Sequence, residues 1–132
     1  MRNEKQLVIT TNDYEIIMAN LKYFSGKNTF NQHDAEELES ELKKAKLVMK
    51  EEVPKDVVQL NSQVTIKDDK QKKVMQVTIV TPEKVDIKER KISIMSPIGR
   101  ALIGYRKGNK VKWKVPAGLK TFTILEVSNA FL

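Results

Sequence analysis

Few side chains of this 132-residue sequence could carry out chemistry. The chain has no cysteine, which excludes thiol nucleophiles, disulfides, zinc ribbons and iron–sulfur clusters. Its single histidine, His33, removes His-rich metal sites, argues against a Ser-His-Asp triad and is interpreted as an exposed polar residue. The sequence also contains no P-loop and no glycine-rich phosphate loop. We therefore expect no enzymatic activity, no metal and no cofactor.

One acidic cluster is left as a candidate for binding a metal ion, and it consists of Asp34, Glu36 and Glu37. These residues fall in the first turns of a predicted helix, where carboxylates interact favourably with the positive end of the helix dipole. This local role accounts for the three residues without a bound ion.

Charge is distributed unevenly along the chain, whose formal net charge is +7. Residues 1–53 carry 8 basic and 10 acidic residues, whereas residues 54–132 carry 16 basic and 7 acidic residues. Most of the basic residues are lysines, while arginine is the expected choice for reading bases. The basic part could steer the protein toward an acidic protein surface or act as a nucleic-acid-binding module.

Two amphipathic patterns in the first third predict helices. Apolar residues at helical spacing define one face of each helix, namely Tyr14, Ile17, Met18 and Leu21, then Ala35, Leu38, Leu42, Ala45 and Met49. Asn12 and Asn31 are the predicted N-caps, and the second helix is expected to run for about 16 residues, or about 24 Å, and to end before Pro54. We therefore predict a short antiparallel coiled-coil hairpin over residues 1–53. Its tip spans residues 25–32 and includes Lys27, Asn28, Thr29 and Phe30.

Residues 54–132 show the alternation of a small antiparallel sheet with one solvated face. Strand-like runs occur around residues 64–67, 74–80, 92–94, 111–115 and 122–127. One short helix interrupts them, with Ser96 as N-cap, Pro97 at its first position and Gly104 as its stop. The predicted fold class is α+β, with the helical hairpin preceding the sheet.

The segment 92–104 carries a recognisable motif. It reads I-S-I-M-S-P-I-G-R-A-L-I-G and is followed by Gly108-Asn109 and by Val115-Pro116-Ala117-Gly118. This pattern resembles the C-terminal domain of the bacterial Gre transcript-cleavage factors (GreA and GreB), over roughly residues 57–128. The junction at residues 53–62 and the short hairpin resemble the Rnk branch (regulator of nucleoside diphosphate kinase) more closely.

The resemblance implies an FKBP-like fold for residues 54–132 and a transcription regulator that binds RNA polymerase. In this family the globular domain docks at the rim of the secondary channel, and the hairpin enters the channel. The family's docking region corresponds to Met95, Ser96, Pro97, Ile98 and Arg100. Acidic residues at the hairpin tip hold a catalytic magnesium in cleavage-competent members, and residues 25–32 contain no carboxylate. We therefore expect a polymerase-binding regulator without cleavage stimulation.

The predicted partner is bacterial RNA polymerase, with weak or indirect nucleic-acid contact. A monomeric cytoplasmic protein is expected, because no apolar run approaches the ~20 residues of a membrane helix and no signal-peptide pattern opens the sequence. Three alternatives remain at this point: a Gre-like cleavage factor, a basic nucleic-acid-binding module and a prolyl isomerase. The last would need an aromatic-lined pocket, and four of the chain's few aromatic residues fall in the predicted hairpin, namely Tyr14, Tyr23, Phe24 and Phe30.

Overall fold

The computed structural model describes residues 7–24, 32–115 and 118–129, which form an α+β fold. The N-terminal part contains β1 (Val8–Thr10), α1 (Thr11–Phe24), α2 (Gln32–Lys44) and β2 (Lys46–Val48). A five-stranded sheet follows, made of β3 (Gln63–Asp68), β4 (Val74–Val80), β5 (Lys91–Ser93), β6 (Lys110–Val115) and β7 (Gly118–Ser128). Helix α3 (Pro97–Leu102) lies between β5 and β6, and 3-10 turns occupy Lys50–Glu52 and Pro82–Lys84.

Helix α1 buries the face that the sequence predicts, since Ile17 is fully buried and Leu21 is buried. Its start differs from the prediction. The Thr10 hydroxyl accepts a hydrogen bond from the Asp13 N–H at 3.1 Å, so Thr10 and not Asn12 supplies the side-chain oxygen at this end. Asn12 is exposed. The predicted cap Asn31 lies outside the described residues.

Helix α2 buries Ala35, Leu38 and Leu42 as predicted, but it ends at Lys44. The expected extension of this helix toward Pro54 is therefore wrong. The Lys46 N–H donates to the Leu7 carbonyl at 2.8 Å, and β2 pairs in parallel with β1 instead of continuing the helix. Met49, the last residue of the predicted seam, is 55% exposed.

The large sheet has the strand order β5-β4-β3-β7-β6. Three of its four strand pairs are antiparallel, and β4–β5 is parallel, which corrects the prediction of a fully antiparallel sheet. The reason is the path of residues 81–90, which bring the chain back along β4 before β5 begins. The Thr78 N–H then donates to the Arg90 carbonyl at 3.0 Å.

One face of the sheet supplies most of the core. The predicted alternation is confirmed in β3, where Val64 and Ile66 are fully buried, Gln63 is exposed, and Thr65 and Lys67 are half-buried. Phe122 and Ile124 on β7 and Val111 on β6 join the same buried cluster as Ile17, Leu38 and Leu42 of the N-terminal helices. Apolar burial of this kind is the main stabilising contribution, at about 25 cal/mol per Å² removed from water.

Helix α3 matches its prediction closely. Ser96 is its N-cap, Pro97 occupies the first turn, and the helix ends at Leu102. Gly104 follows with φ +84°, a left-handed conformation that favours glycine. Within the described ranges, no helix is long and apolar enough to cross a membrane.

Candidate functional site

The segment between β5 and α3 is a tight turn held by serine side chains. The Ser93 hydroxyl accepts from the Met95 N–H at 2.9 Å. The Ser96 hydroxyl donates to the Ser93 carbonyl at 2.6 Å and accepts from the Gly99 N–H at 3.2 Å. Each serine therefore satisfies backbone groups that would otherwise be left unpaired at the helix start. The resulting turn has a single, well-defined shape.

The turn is also fixed to the sheet behind it. The Ile94 N–H donates to the Val80 carbonyl at 2.8 Å, which extends the β4–β5 pairing by one residue. Ile94 itself is fully buried. Helix α3 approaches the turn so closely that a Cβ on Gly99 would lie 2.2 Å from the Ser93 carbonyl oxygen. The first turn of α3 is thus positioned by backbone contacts.

The five residues predicted to dock on a partner differ in accessibility. Pro97 is exposed, whereas Ser96, Ile98 and Arg100 are half-buried. Met95 is 8% exposed and belongs to the core. The structure therefore brings the five together in one turn and one helix start, and four of them reach the surface.

Arg100 combines an exposed and a buried portion. The residue is half-buried, and its Nε atom lies below the surface. Its backbone N–H donates to the Ser96 carbonyl at 2.9 Å, the first bond of the helical ladder. Arg100 lies three residues after Pro97, so the two residues share one face of the capped helix.

The predicted acidic residues occupy the start of α2. Asp34 belongs to this helix by its backbone, and Glu36 and Glu37 are exposed. Within the described residues, no group of three or more His, Cys, Asp and Glu side chains could hold a metal ion. The predicted tip residues Lys27, Asn28, Thr29 and Phe30 lie outside the described residues.

A groove of about 560 Å³ lies between α1 and α2. Its apolar wall comes from Tyr14, Met18, Leu21 and Ala35. Charged side chains also line it, namely Glu15, Lys22, Glu36 and Glu39. The groove therefore combines aliphatic surface with mostly negative charge, and Glu36 is the one predicted site residue that contributes to it.

The segment before β3, part of the recognisable junction, has a structural role. The Val58 N–H donates to the Tyr105 carbonyl at 2.8 Å, and the Gly104 N–H donates to the Val58 carbonyl at 3.0 Å. Ser62 is fully buried, and its hydroxyl accepts from the Gln59 N–H at 2.7 Å. These bonds attach the junction to the residues that follow α3.

Asp13 lies at the junction of the two parts and is absent from the predicted site residues. Its carboxylate accepts from the Leu60 N–H at 3.0 Å. Burial raises the pKa of Asp13, and the hydrogen bonds from Leu60 and Thr10 oppose that rise. No periodic pattern marks this residue, because its partner lies 47 positions away.

The sequence matches a known protein family and several of its members. The family model for the C-terminal part of transcription elongation factors GreA/GreB matches residues 53–129. The regulator of nucleoside diphosphate kinase of Escherichia coli (strain K12) is 37% identical over 87 residues, 66% of this chain and 64% of that protein. The chain thus spans less than two thirds of that relative. Transcription elongation factor GreA of Clostridium botulinum (strain Hall) is 38% identical over 113 residues, 84% of this chain and 71% of that protein.

Two solved structures are similar to this chain. A prokaryotic GreA/GreB transcription elongation factor from Nitrosomonas europaea aligns with a TM-score of 0.76 and 32% identity, covering 95% of this chain and 99% of that one. GreA factor homolog 1 of Thermus aquaticus aligns with a TM-score of 0.53 and 22% identity, covering 94% of this chain and 99% of that one. The second likeness concerns the fold alone.

Proposed function

The chain belongs to the GreA/GreB family of transcription elongation factors, and on this premise we propose that it docks on bacterial RNA polymerase at the rim of the secondary channel without stimulating transcript cleavage. The activity proposed is regulatory and non-enzymatic. A protein bound at this entrance would compete with other factors that enter the channel.

The observation that carries the docking proposal is the geometry of the turn before α3. The motif that the chain shares with the family folds into a capped helix start, in which Pro97 is exposed and Arg100 is half-buried beside it. A surface fixed by backbone contacts loses little conformational entropy on binding, which favours its use as an interface. The half-buried Ile98 adds aliphatic area to this surface.

The absence of cleavage stimulation is inferred from the hairpin tip. Magnesium is bound through carboxylates, waters and phosphates, and the segment 25–32 contains no aspartate or glutamate. Helices α1 and α2 have 14 and 13 residues, so each is about 20 Å long at 1.5 Å per residue. A short hairpin with a neutral-to-basic tip is suited to occupying the channel entrance and not to delivering a metal ligand.

The finer architecture belongs to the same proposal. We infer that residues 1–53 form a short antiparallel coiled-coil hairpin, and that residues 54–132 form an FKBP-like domain. The packing of Ile17 and Leu21 of α1 with Ala35, Leu38 and Leu42 of α2 in one buried cluster supports the hairpin. A cytoplasmic monomer is the form in which such a regulator would act.

The docking surface can be tested with purified RNA polymerase. Arg100→Glu should weaken binding at least about tenfold, because reversing a charge at an interface costs more than 1.4 kcal/mol. Lys88→Glu is the matched control, since it makes the same charge change at an exposed residue outside the turn before α3. Binding unchanged by Arg100→Glu in a folded variant would overturn this docking surface.

A further inference from the structure

A second charged surface lies at the end of the sheet that carries the turn between β3 and β4. It is built by the end of β3 and the turn that follows it, by β6 and by the start of β7. We call it the lysine edge, and its lysines are Lys67, Lys70, Lys72, Lys73, Lys110, Lys112 and Lys120. It also holds Asp68 and Asp69, so its formal excess is five positive charges.

Backbone and side-chain contacts hold the three segments of the lysine edge together. The Asp69 N–H donates to the Thr121 carbonyl at 3.0 Å. The Asp69 carboxylate accepts from the Thr123 hydroxyl at 2.7 Å and from the Lys110 ammonium at 2.8 Å. The turn is thereby fixed against β7 and β6, and its lysines lie beside those of the edge strand.

The turn itself has a defined conformation. The Asp68 carboxylate accepts from the Lys70 N–H at 2.9 Å and from the Gln71 N–H at 3.1 Å. Lys72 has φ +60°, a left-handed conformation that non-glycine residues adopt at a cost of about 1 kcal/mol or more. Lys72 is exposed, as are Lys70 and Lys73.

Most of this positive charge is not neutralised locally. Within the part of the chain that the structure describes, the ion pairs of the lysine edge are Lys110–Asp69 at 2.8 Å and Lys120–Asp68 at 3.6 Å. Glu126, the nearest carboxylate along β7, pairs with Lys107 at 2.8 Å. Lys70, Lys72 and Lys73 are exposed and take part in none of these ion pairs.

The geometry points to the lysine edge as a binding site for the phosphate backbone of duplex DNA, separate from the docking turn at α3. Lysine binds phosphate as a mobile point charge, and the hydroxyl of Thr121 lies on the same strand as an additional donor. The described side chains of this surface offer a single-stranded nucleic acid no exposed aromatic group for base stacking. The site would therefore bind DNA independently of its sequence.

A protein partner is less well matched to this surface. Binding energy between proteins concentrates in buried aromatic and arginine anchors, and neither type is exposed among those residues of the lysine edge whose side chains the structure describes. Its exposed aliphatic side chains are Val74 and Leu119. Charge complementarity to a polyanion is thus the main feature of the surface.

The test is fluorescence anisotropy with a mixed-sequence DNA duplex of about 20 base pairs, without RNA polymerase. Binding is expected at about 50 mM salt and should weaken steeply toward about 200 mM, because each phosphate contact adds about −0.9 to the slope of log K against log salt. The triple substitution Lys70→Glu, Lys72→Glu, Lys73→Glu should lower affinity at least about tenfold and make the slope shallower by about 3.

A matched triple distinguishes a local site from the effect of net charge. Lys44→Glu, Lys84→Glu and Lys88→Glu change the same number of exposed lysines elsewhere and should leave most of the affinity intact. Circular dichroism and thermal melting of the triple variants show whether any loss of affinity occurs in folded protein. A Lys→Gln triple at residues 70, 72 and 73 removes the same charges without reversing them.

Three outcomes would overturn the proposal: no duplex binding by wild-type protein at low salt, equal losses in the two Lys→Glu triples, or a preference for single-stranded RNA over duplex DNA. Weakened binding to RNA polymerase core enzyme in the first triple, without duplex binding by wild type, would assign the surface to a protein partner instead. The result is independent of the Arg100→Glu test, so the two proposals can fail separately.

Discussion

Asp13 and Leu60 join the first turn of α1 to the segment that leads into β3. The Asp13 carboxylate accepts the Leu60 N–H at 3.0 Å, and Leu60 itself is buried. This bond, together with the Val8 N–H that donates to the Gly104 carbonyl at 3.2 Å, attaches the base of the N-terminal helices to the sheet-containing part. Described residues of the two parts also belong to one buried cluster. These contacts together set the direction in which the N-terminal helices leave the sheet-containing part.

Replacing Asp13 should reveal the cost of its burial. Burial raises its pKa above the ordinary 3.8, so the folded state favours the protonated carboxyl, and this contribution is lost as the pH rises through the folded-state pKa. Asp13→Asn keeps an oxygen for the Leu60 N–H and carries no charge. We expect the variant to gain stability relative to wild type between about pH 4 and pH 7, as measured by urea unfolding.

Asp68 provides an internal control, because its effect on the free energy of unfolding should change with pH in the opposite direction. Hydrogen bonding from the Gln71 N–H lowers the pKa of Asp68, so its stabilising contribution is present at neutral pH and lost as the pH falls. Asp68→Asn should therefore lose stability relative to wild type at neutral pH, with the difference shrinking in acid. If both variants changed in the same direction with pH, the assigned environment of Asp13 would be wrong.

Removing the N-cap of α3 should cost stability without changing the fold. Ser96→Ala deletes the hydroxyl that bonds both the Gly99 N–H and the Ser93 carbonyl. We expect a loss of about 1 kcal/mol in the free energy of unfolding, the usual cost of losing a serine cap. Ser128→Ala, at an exposed strand end, should change the free energy by less than about 0.5 kcal/mol. Equal effects would show that the cap bonds contribute nothing.

Two glycines with the same backbone conformation can separate strain from packing. Gly104 (φ +84°) would place a Cβ 3.0 Å from the Leu7 Cβ, whereas Gly108 (φ +89°) has nothing within 4 Å. Alanine at Gly108 should cost about 1 kcal/mol through backbone strain alone. Alanine at Gly104 should lower the free energy of unfolding by clearly more than alanine at Gly108, because β1 must also shift. Similar unfolding free energies for the two variants would contradict the close approach of β1 to the end of α3.

The parts of the fold that depend on local chemistry followed from the sequence. Ser96 and Pro97 define the start of α3 through capping and a fixed φ angle, both of which are properties of adjacent residues. The alternation around Val64 and Ile66 likewise predicted a strand with one buried face. The motif containing these helix residues also identified the family, because it fixes many positions at fixed spacing.

The errors arose where distant segments decide the outcome. The heptad pattern continues through Ala45 to Met49, but the Leu7 carbonyl takes the Lys46 N–H and ends α2. The parallel direction of β5 depends on the path of residues 81–90, which no periodicity records. The Asp13–Leu60 bond and the assembly of the lysine edge depend in the same way on tertiary contacts between residues far apart in sequence.

Transcript cleavage in a backtracked RNA polymerase elongation complex tests the central claim most directly. With saturating protein, we predict cleavage at no more than the intrinsic rate of the polymerase, and slower cleavage by added GreA because the two proteins compete for one entrance. Arg100→Glu should relieve that competition. Cleavage above the intrinsic rate that is lost on substitution of Asp34→Ala would contradict the account and identify the chain as a cleavage factor.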